Sequence, residues 1–271
     1  MVFAHAFAWS VVVVVAAKTA AWAWQLRSRN AGMVDAIWAW TLGSLALLYA
    51  AAGSAPGSLR LLLAATGGVW GLRLGAHLWR RNHGKPEDWR YARLRSQWGA
   101  RADRNMFWFF QFQNLFTLLL SAAAFAPVAY RTDLPTLPWL LLAAALWLGS
   151  IVGEGIADRQ MERFRADPAN KGRVCRDGLW RYSRHPNYFF ECLHWAAYVP
   201  LALGAPWGAV SLLAPAVMAV LLLKLSGVPM LEAEMAQRKP GYAAYMRSTS
   251  MLIPWWPREA GTRDSGLGTR E

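Results

Sequence analysis

A run of basic, polar and aromatic residues, Arg184-His185-Pro186-Asn187-Tyr188, opens one of the apolar segments of this chain. Proline at the first position of a helix loses no backbone hydrogen bond, because that N–H has no partner inside the helix. The residues beside it should therefore lie where a membrane helix begins. Glu191 follows one turn further in, where inserting a carboxylate costs roughly 2 kcal/mol or more. We therefore expect Glu191 to have a partner or a task.

A second polar series ends an earlier apolar segment. Glu154, Asp158, Glu162 and Arg165 recur at helical spacing, so they share one face of a helix. Two interpretations stay open. The series is either the solvated, salt-bridged face of a helix that leaves the membrane, or the wall of a polar pocket shared with the Arg184–Glu191 segment.

The first half of the chain carries three further ionisable residues in apolar surroundings: Asp35, Arg73 and His77. Arg73 lies too far from the end of its segment for its charge to reach water easily, and an arginine at mid-membrane costs roughly 2.5–3.5 kcal/mol. Asp35 would offset that cost, and Lys18 would either reach the interface or pair with Asp35. We expect the three to line an apolar cavity as catalytic groups; a structural ion pair is the alternative.

The elements that must position these residues are membrane helices. The chain is 55% apolar and holds 17 tryptophans, and its apolar runs have the length of about 20 residues that spans a bilayer. We predict an all-α integral membrane protein with about seven transmembrane helices. The predicted spans are Ala4–Gln25, Met33–Ala52, Leu59–Trp79, Met106–Ala129, Leu137–Ala157, Tyr188–Leu203 and Trp207–Val228.

The net charge of +13 is concentrated between Arg80 and Arg104 and between Arg159 and Arg184. Basic residues collect in cytoplasmic loops of membrane proteins, so the charge predicts an N-terminus outside and a C-terminus in the cytoplasm. No nucleic-acid partner is needed to explain it. We divide the chain into a substrate-binding half (1–135), a cofactor-binding half (136–258) and a disordered tail (259–271). The two cysteines have no metal-ligand spacing, so no metal site is expected.

The second half resembles the C-terminal domain of the steroid 5α-reductase family, in particular its bacterial branch of integral membrane proteins. Its Arg-His-Pro core also occurs in the sterol C14-reductases and the isoprenylcysteine carboxyl methyltransferases. The resembling stretch runs from about Ile151 to Trp256. Its parts, in order, are Asp158 with Arg165, Gly178-Leu179-Trp180, Arg184 to Tyr188 with Glu191, Lys224, Glu232 with Glu234, Pro240-Gly241-Tyr242, Tyr245 and Ile253-Pro254-Trp255.

In those reductases this half holds NADPH in a pocket that faces the cytoplasm, and arginines and aromatic rings are suitable partners for its phosphates and flat rings. The chain has no Gly-x-Gly-x-x-Gly after a strand, so a Rossmann domain is not expected. The steroid enzymes polarise the ketone with a Glu in span two and a Tyr in span three. Here Asp35, Arg73 and His77 stand in those spans. The resemblance implies that Arg165, Asn187, Tyr188, Glu191 and Tyr245 match cofactor-binding positions, with Asp158 and Arg184 in support. We expect Trp180, His185 and Lys224 to belong to the same cofactor-binding set.

The leading hypothesis is therefore an NADPH-dependent membrane reductase that transfers hydride to an activated C=C bond of a lipophilic, steroid- or isoprenoid-like enone. One alternative is a methyltransferase of the isoprenylcysteine carboxyl type that uses S-adenosylmethionine. Another is a non-enzymatic lipid-binding membrane protein. The expected location is the bacterial inner membrane, with the cofactor site facing the cytoplasm and with membrane lipid and a lipophilic substrate as partners. The sequence predicts neither the particular substrate nor the oligomeric state.

Overall fold

The computed structural model describes residues 2–225 and 227–258, and the predicted disordered tail, 259–271, lies outside them. Within the described residues the regular elements are helices, and the one β-bridge joins Ser183 to Ser250. Short 3₁₀ turns and a π-helical segment, Leu221–Leu225, connect some of the helices. The α-helices are α1 (Phe3–Ser28), α2 (Met33–Ala52), α3 (Gly57–Asn82), α4 (Trp89–Trp98), α5 (Ala102–Ala129), α6 (Leu137–Ala166), α7 (Pro186–Ala196), α8 (Tyr198–Ala202), α9 (Leu213–Val220), α10 (Val228–Arg238) and α11 (Tyr242–Ser248).

Five helical stretches in the described part of the chain are long and apolar enough to cross a membrane. These stretches are α1, α2, α6, Trp89–Ala129 (which joins α4 to α5) and Gly208–Arg238 (which contains α9 and α10). Their length and composition are consistent with a membrane protein. The predicted all-helical class is confirmed for the described residues, and the five stretches are candidate membrane spans.

The two remaining predicted spans differ from these five. α3 has 26 residues, which is about 39 Å at 1.5 Å per residue, but arginines and His77 make it less apolar. The predicted span Tyr188–Leu203 is divided between α7 and α8, of 11 and 5 residues. Neither short helix alone crosses a hydrocarbon core of about 30 Å. The count of seven spans and their orientation therefore stay predictions.

The chain forms two compact units. The first contains the residues up to Ala144 together with Trp195–Val217, and the second contains Ala145–His194 together with the described residues from Met218 onward. The predicted halves, 1–135 and 136–258, differ from these units mainly because Trp195–Val217 belongs with the first unit. The functions that we assigned to the halves remain predictions.

The first unit is built on close contact between α2 and α3. A Cβ atom placed on Gly71 would lie 2.7 Å from the Cα of Gly43 and 2.9 Å from the carbonyl oxygen of Ala39. Only glycine permits this approach, which brings two helix backbones together as small residues do in membrane bundles. Elsewhere in this unit an aromatic core forms around Trp195, whose ring lies 5.3 Å from Trp70 and 5.9 Å from Phe125.

Candidate functional site

The segment before α7 is fixed to α6 by two side chains. Gly178, at φ 57°, lies so close to the Gln160 side chain that a Cβ atom would collide with it. Gln160 Oε1 accepts a hydrogen bond from the Leu179 N–H at 2.9 Å. Trp180, 9% exposed, donates its indole N–H to the Ala157 carbonyl at 3.0 Å. The predicted cofactor-binding Trp180 is therefore part of the packing between this turn and α6.

Arg184 lies at the centre of a buried polar cluster and is 9% exposed. Its Nε and Nη2 donate to the Glu232 carboxylate at 2.6 and 3.2 Å. Its Nη1 donates to the carbonyls of Met246 and Thr249 at 2.8 and 2.7 Å. His185 Nε2 lies 3.0 Å from the same carboxylate. The guanidinium is thus neutralised and occupied by protein partners, as buried charges must be.

Tyr245 ties α11 to the same cluster. Its hydroxyl donates to the Trp180 carbonyl and lies 3.2 Å from the Ser183 carbonyl. Burial raises the pKa of Tyr245, so the hydroxyl remains a donor at neutral pH. Burial, and then the negative charge of Glu232, raises the pKa of the neighbouring Tyr242 to about 12. The predicted cofactor-binding Tyr245 therefore uses its hydroxyl on the protein backbone.

The first turn of α7 has a different character. The rings of His185 and Tyr188 stack at 5.3 Å with an interplanar angle of 9°. A Cβ atom on Gly227 would lie 3.1 Å from the Tyr188 ring, so backbone from the start of α10 lies against that ring. Asn187 lies between His185 and Tyr188 in the sequence and is half-buried. Its amide makes no hydrogen bond with the described residues. The fixed ring of Tyr188 is therefore adjacent in sequence to the Asn187 amide, whose donor and acceptor sites are open to a ligand.

The other predicted cofactor-binding residues also lie in the second unit. Asp158 is half-buried and Arg165 exposed on α6, while Glu191 on α7 is 6% exposed. Lys224 is exposed in the π-helical segment that precedes α10. Such segments are often found at functional sites. Burial along the polar face of α6 decreases from Glu154 towards Arg165, as expected for a helix that leaves an apolar environment.

Glu232 is the residue of this cluster that sequence reasoning did not assign to the site. It appeared only as part of the resemblance, yet its carboxylate binds both Arg184 and His185. A carboxylate just beyond an apolar segment was the available signal. The signal was insufficient because the partner Arg184 lies 48 positions away along the chain.

Asp35, a predicted catalytic residue of the first unit, has other partners than those we expected. Asp35 accepts hydrogen bonds from Arg90 Nη2 at 2.8 Å and from the Tyr91 hydroxyl at 2.6 Å. Lys18, fully buried, donates to Gln113 Oε1 at 2.8 Å. The expected pairing of Asp35 with Lys18 or Arg73 is therefore replaced by pairing with Arg90 and Tyr91 of α4.

Arg73 and His77 are half-buried on one face of α3. The Asn82 side chain, at the end of α3, donates to the Gly32 carbonyl just before α2 at 2.9 Å. Asp35, about one turn after Gly32, thus lies beside the last turn of α3, whereas Arg73 lies nearer the middle of that helix. The structure therefore separates Asp35 from Arg73 and leaves Arg73 and His77 as the neighbouring pair.

The family described as "Protein of unknown function (DUF1295)" matches residues 21–249, most of the chain. The chain belongs to this family. An uncharacterized protein of Schizosaccharomyces pombe is 28% identical over 204 residues, which cover 65% of this chain and 59% of that relative. The chain thus spans less than two thirds of the relative's length. No solved structure matches the chain.

Proposed function

We propose that this protein is a membrane reductase that uses NADPH to reduce the activated C=C bond of a lipophilic, steroid- or isoprenoid-like enone. The observation that supports the proposal best is the first turn of α7. There the half-buried Asn187 amide has no hydrogen-bond partner among the described residues, and the adjacent Tyr188 ring is fixed by His185 and Gly227. Both residues match positions that bind NADPH in the resembling reductases.

The chain's residues divide into two roles in this proposal. Asn187 would bind the cofactor through its amide, Tyr188 would stack on a flat ring, and the exposed cations Arg165 and Lys224 suit its phosphates. The polar atoms of the second group are already bonded to protein, so these residues would position the pocket wall. This second group consists of Trp180, Arg184, His185 and Tyr245.

When bound, NADPH would supply a hydride for the β-carbon of the enone. The chain must then provide a donor that stabilises the developing oxyanion. We assign this donor to Arg73 or His77 of the first unit. Asp35 is already neutralised by Arg90, so it would position α4 and not act on substrate. We also propose seven spans with the N-terminus outside, a site facing the cytoplasm and a location in the bacterial inner membrane.

One observation favours a second function. Arg184, the arginine of the Arg-His-Pro core, is occupied by Glu232 and two carbonyls, so it is not available to a phosphate. S-adenosylmethionine has no phosphate, and this core is shared with the isoprenylcysteine carboxyl methyltransferases. A non-enzymatic membrane protein is the third possibility, since the same contacts also join helices.

Cofactor identity separates these functions. The purified full chain in lipid nanodiscs is titrated with NADPH and, separately, with S-adenosylmethionine. We expect saturable binding of NADPH alone. Binding of S-adenosylmethionine alone would establish the methyltransferase alternative, and binding of neither would favour the non-enzymatic one.

The oxyanion donor is tested on an enone that the wild-type protein reduces. His77→Ala or Arg73→Lys should lower turnover by roughly 100-fold, the typical effect of losing one such donor. NADPH affinity and melting temperature should stay near wild type. Loss of stability with normal turnover of the folded fraction would assign both residues to the fold.

A further inference from the structure

A polar pocket of about 340 Å³ lies between α11 and the segment that follows it, within the second unit. Its lining includes Arg247, Ser248 and Thr249 from the end of α11 and its C-cap, and Trp255 and Arg258 from the segment that follows. None of the residues of the first turn of α7 from Asn187 to Glu191 lines this pocket. It is therefore separate from the proposed cofactor-binding residues Asn187 and Tyr188.

The walls of the pocket are held by main-chain hydrogen bonds. The Arg258 N–H donates to the Ser248 carbonyl at 2.8 Å, which closes the chain back onto the end of α11. The Trp255 N–H donates to the Tyr182 carbonyl at 2.9 Å. The Trp256 ring packs edge-on against Tyr182 at 5.2 Å. These contacts give the segment after α11 a defined conformation beside the turn that leads into α7.

The unpaired charge of the pocket is positive. Arg247 and Arg258 are exposed, and neither makes a hydrogen bond or ion pair through its side chain with the described residues. No carboxylate from the described ranges lines the pocket, and Arg184 in its wall is already neutralised by Glu232. Two arginines that line a polar space without a protein counter-charge form a suitable site for a phosphate.

Exposed apolar side chains near the pocket indicate that such a phosphate would belong to a membrane lipid. Ile253, Trp255 and Trp256 are 62%, 69% and 70% exposed, so the described protein leaves most of each apolar side chain uncovered. Tryptophan is enriched at the level of lipid headgroups, and arginines next to a membrane helix attract anionic lipid. Exposed indoles beside two unpaired arginines therefore match the apolar and charged layers of a membrane surface.

We propose that this pocket binds the headgroup phosphate of an anionic phospholipid, with Arg247 and Arg258 as its ligands and Trp255 and Trp256 inserted among the headgroups. This site would hold the segment after α11 against the bilayer beside the start of α7. The proposal does not depend on the reductase function.

Lipid retention tests the proposal on the full chain. The protein is purified in detergent, mixed with phosphatidylglycerol or phosphatidylcholine, and the bound lipid is measured by native mass spectrometry. The double variant Arg247→Gln/Arg258→Gln should retain phosphatidylglycerol roughly tenfold to thirtyfold less well, because each basic residue near a membrane contributes several-fold to binding anionic lipid. Retention of phosphatidylcholine and the affinity for NADPH should not change.

The matched control is Arg93→Gln/Arg104→Gln, which removes the same charge from two exposed arginines of the first unit. The control should retain phosphatidylglycerol like the wild type. The proposal is overturned if the first double variant also retains it normally, or if the control loses it equally, which would indicate a general charge effect. Displacement by an equal concentration of inorganic phosphate would assign the pocket to a soluble anion, and a loss of NADPH affinity would assign it to the cofactor.

Discussion

The Glu232 carboxylate accepts hydrogen bonds from Arg184 at 2.6 and 3.2 Å and lies 3.0 Å from His185 Nε2. An ionised carboxylate only accepts, so Nε2 of His185 carries its proton. Breaking a buried ion pair by removing one partner costs more than the pair contributes, because the other charge stays buried without compensation. Removing the Glu232 carboxylate should therefore destabilise the second unit.

Glu232→Gln should destabilise the protein by about 3–5 kcal/mol, since it leaves the Arg184 charge buried without a counter-charge. Glu234→Gln is the control on the same helix. Glu234 pairs with Arg238, whose side chain is 62% exposed against 9% for Arg184. Losing Glu234 therefore leaves a solvated charge and should cost about 0–1 kcal/mol. Thermal melting in detergent measures both variants. Equal melting temperatures for the two variants would contradict the role of Glu232.

We expect the stability of the folded protein to decrease at alkaline pH because of Tyr242. Burial, and then the charge of Glu232, raises its pKa in the folded protein from 10.0 to about 12. Its contribution is fully present below pH 10 and is lost as the pH rises to 12, because the unfolded tyrosine ionises first. We expect the melting temperature to fall over this interval, and to fall less in Tyr242→Phe. Parallel curves for the two proteins would exclude this linkage.

Among the helices, α3 carries two glycines, Gly68 and Gly71, that differ in how closely they approach α2. Gly71 lies against backbone atoms of Gly43 and Ala39, which cannot move without shifting α2. Gly68 lies one turn earlier, where an added Cβ atom would meet only the end of the Leu47 side chain at 3.6 Å. Sequence position alone does not distinguish them.

Gly71→Ala should destabilise the first unit by about 1–3 kcal/mol, the usual cost of overpacking. Gly68→Ala should be neutral or stabilising by up to about 1 kcal/mol, because alanine favours the helix and fits in ordinary contact. The melting temperatures of the two variants provide the measurement. A Gly71→Ala protein as stable as Gly68→Ala would show that the two helices can separate without cost.

Local sequence patterns predicted the bounds of some helices correctly. α2 has the predicted bounds, Met33–Ala52. The predicted sixth span failed as one helix because apolar composition continues through the break. Pro200 has no N–H to donate to the Ala196 carbonyl, and the stretch is divided into α7, which ends at Ala196, and α8, which contains Pro200.

Local sequence patterns did not predict which residues pair with the site residues. Asp35 is joined to Arg90, 55 positions away, and Lys18 to Gln113, 95 positions away. Helical periodicity places a residue on a face, but it does not identify which other helix that face meets. The sequence therefore predicted that these residues would be paired and assigned some of them to the wrong partners.

At the scale of the whole molecule, the charge distribution predicts that α4 and the segment after α6 lie on the cytoplasmic side. Single cysteines replace Arg93 or Lys171, both exposed, in a chain whose Cys175 and Cys192 have been changed to alanine. We expect a membrane-impermeant thiol reagent to label both positions only from the cytoplasmic face. Labelling of either one only from the outer face would reverse or break the proposed topology.

The proposed binding of NADPH by the first turn of α7 is tested by the NADPH affinity of the Asn187→Ala variant. Asn105→Ala is the matched control, because Asn105 on α5 is also half-buried and its amide also makes no hydrogen bond with the described residues. We expect Asn187→Ala to bind NADPH about tenfold or more weakly, the effect of losing hydrogen bonds to a charged ligand, with an unchanged melting temperature. Asn105→Ala should bind like the wild type. Equal NADPH affinity in Asn187→Ala and Asn105→Ala would contradict the assignment of this turn to the cofactor.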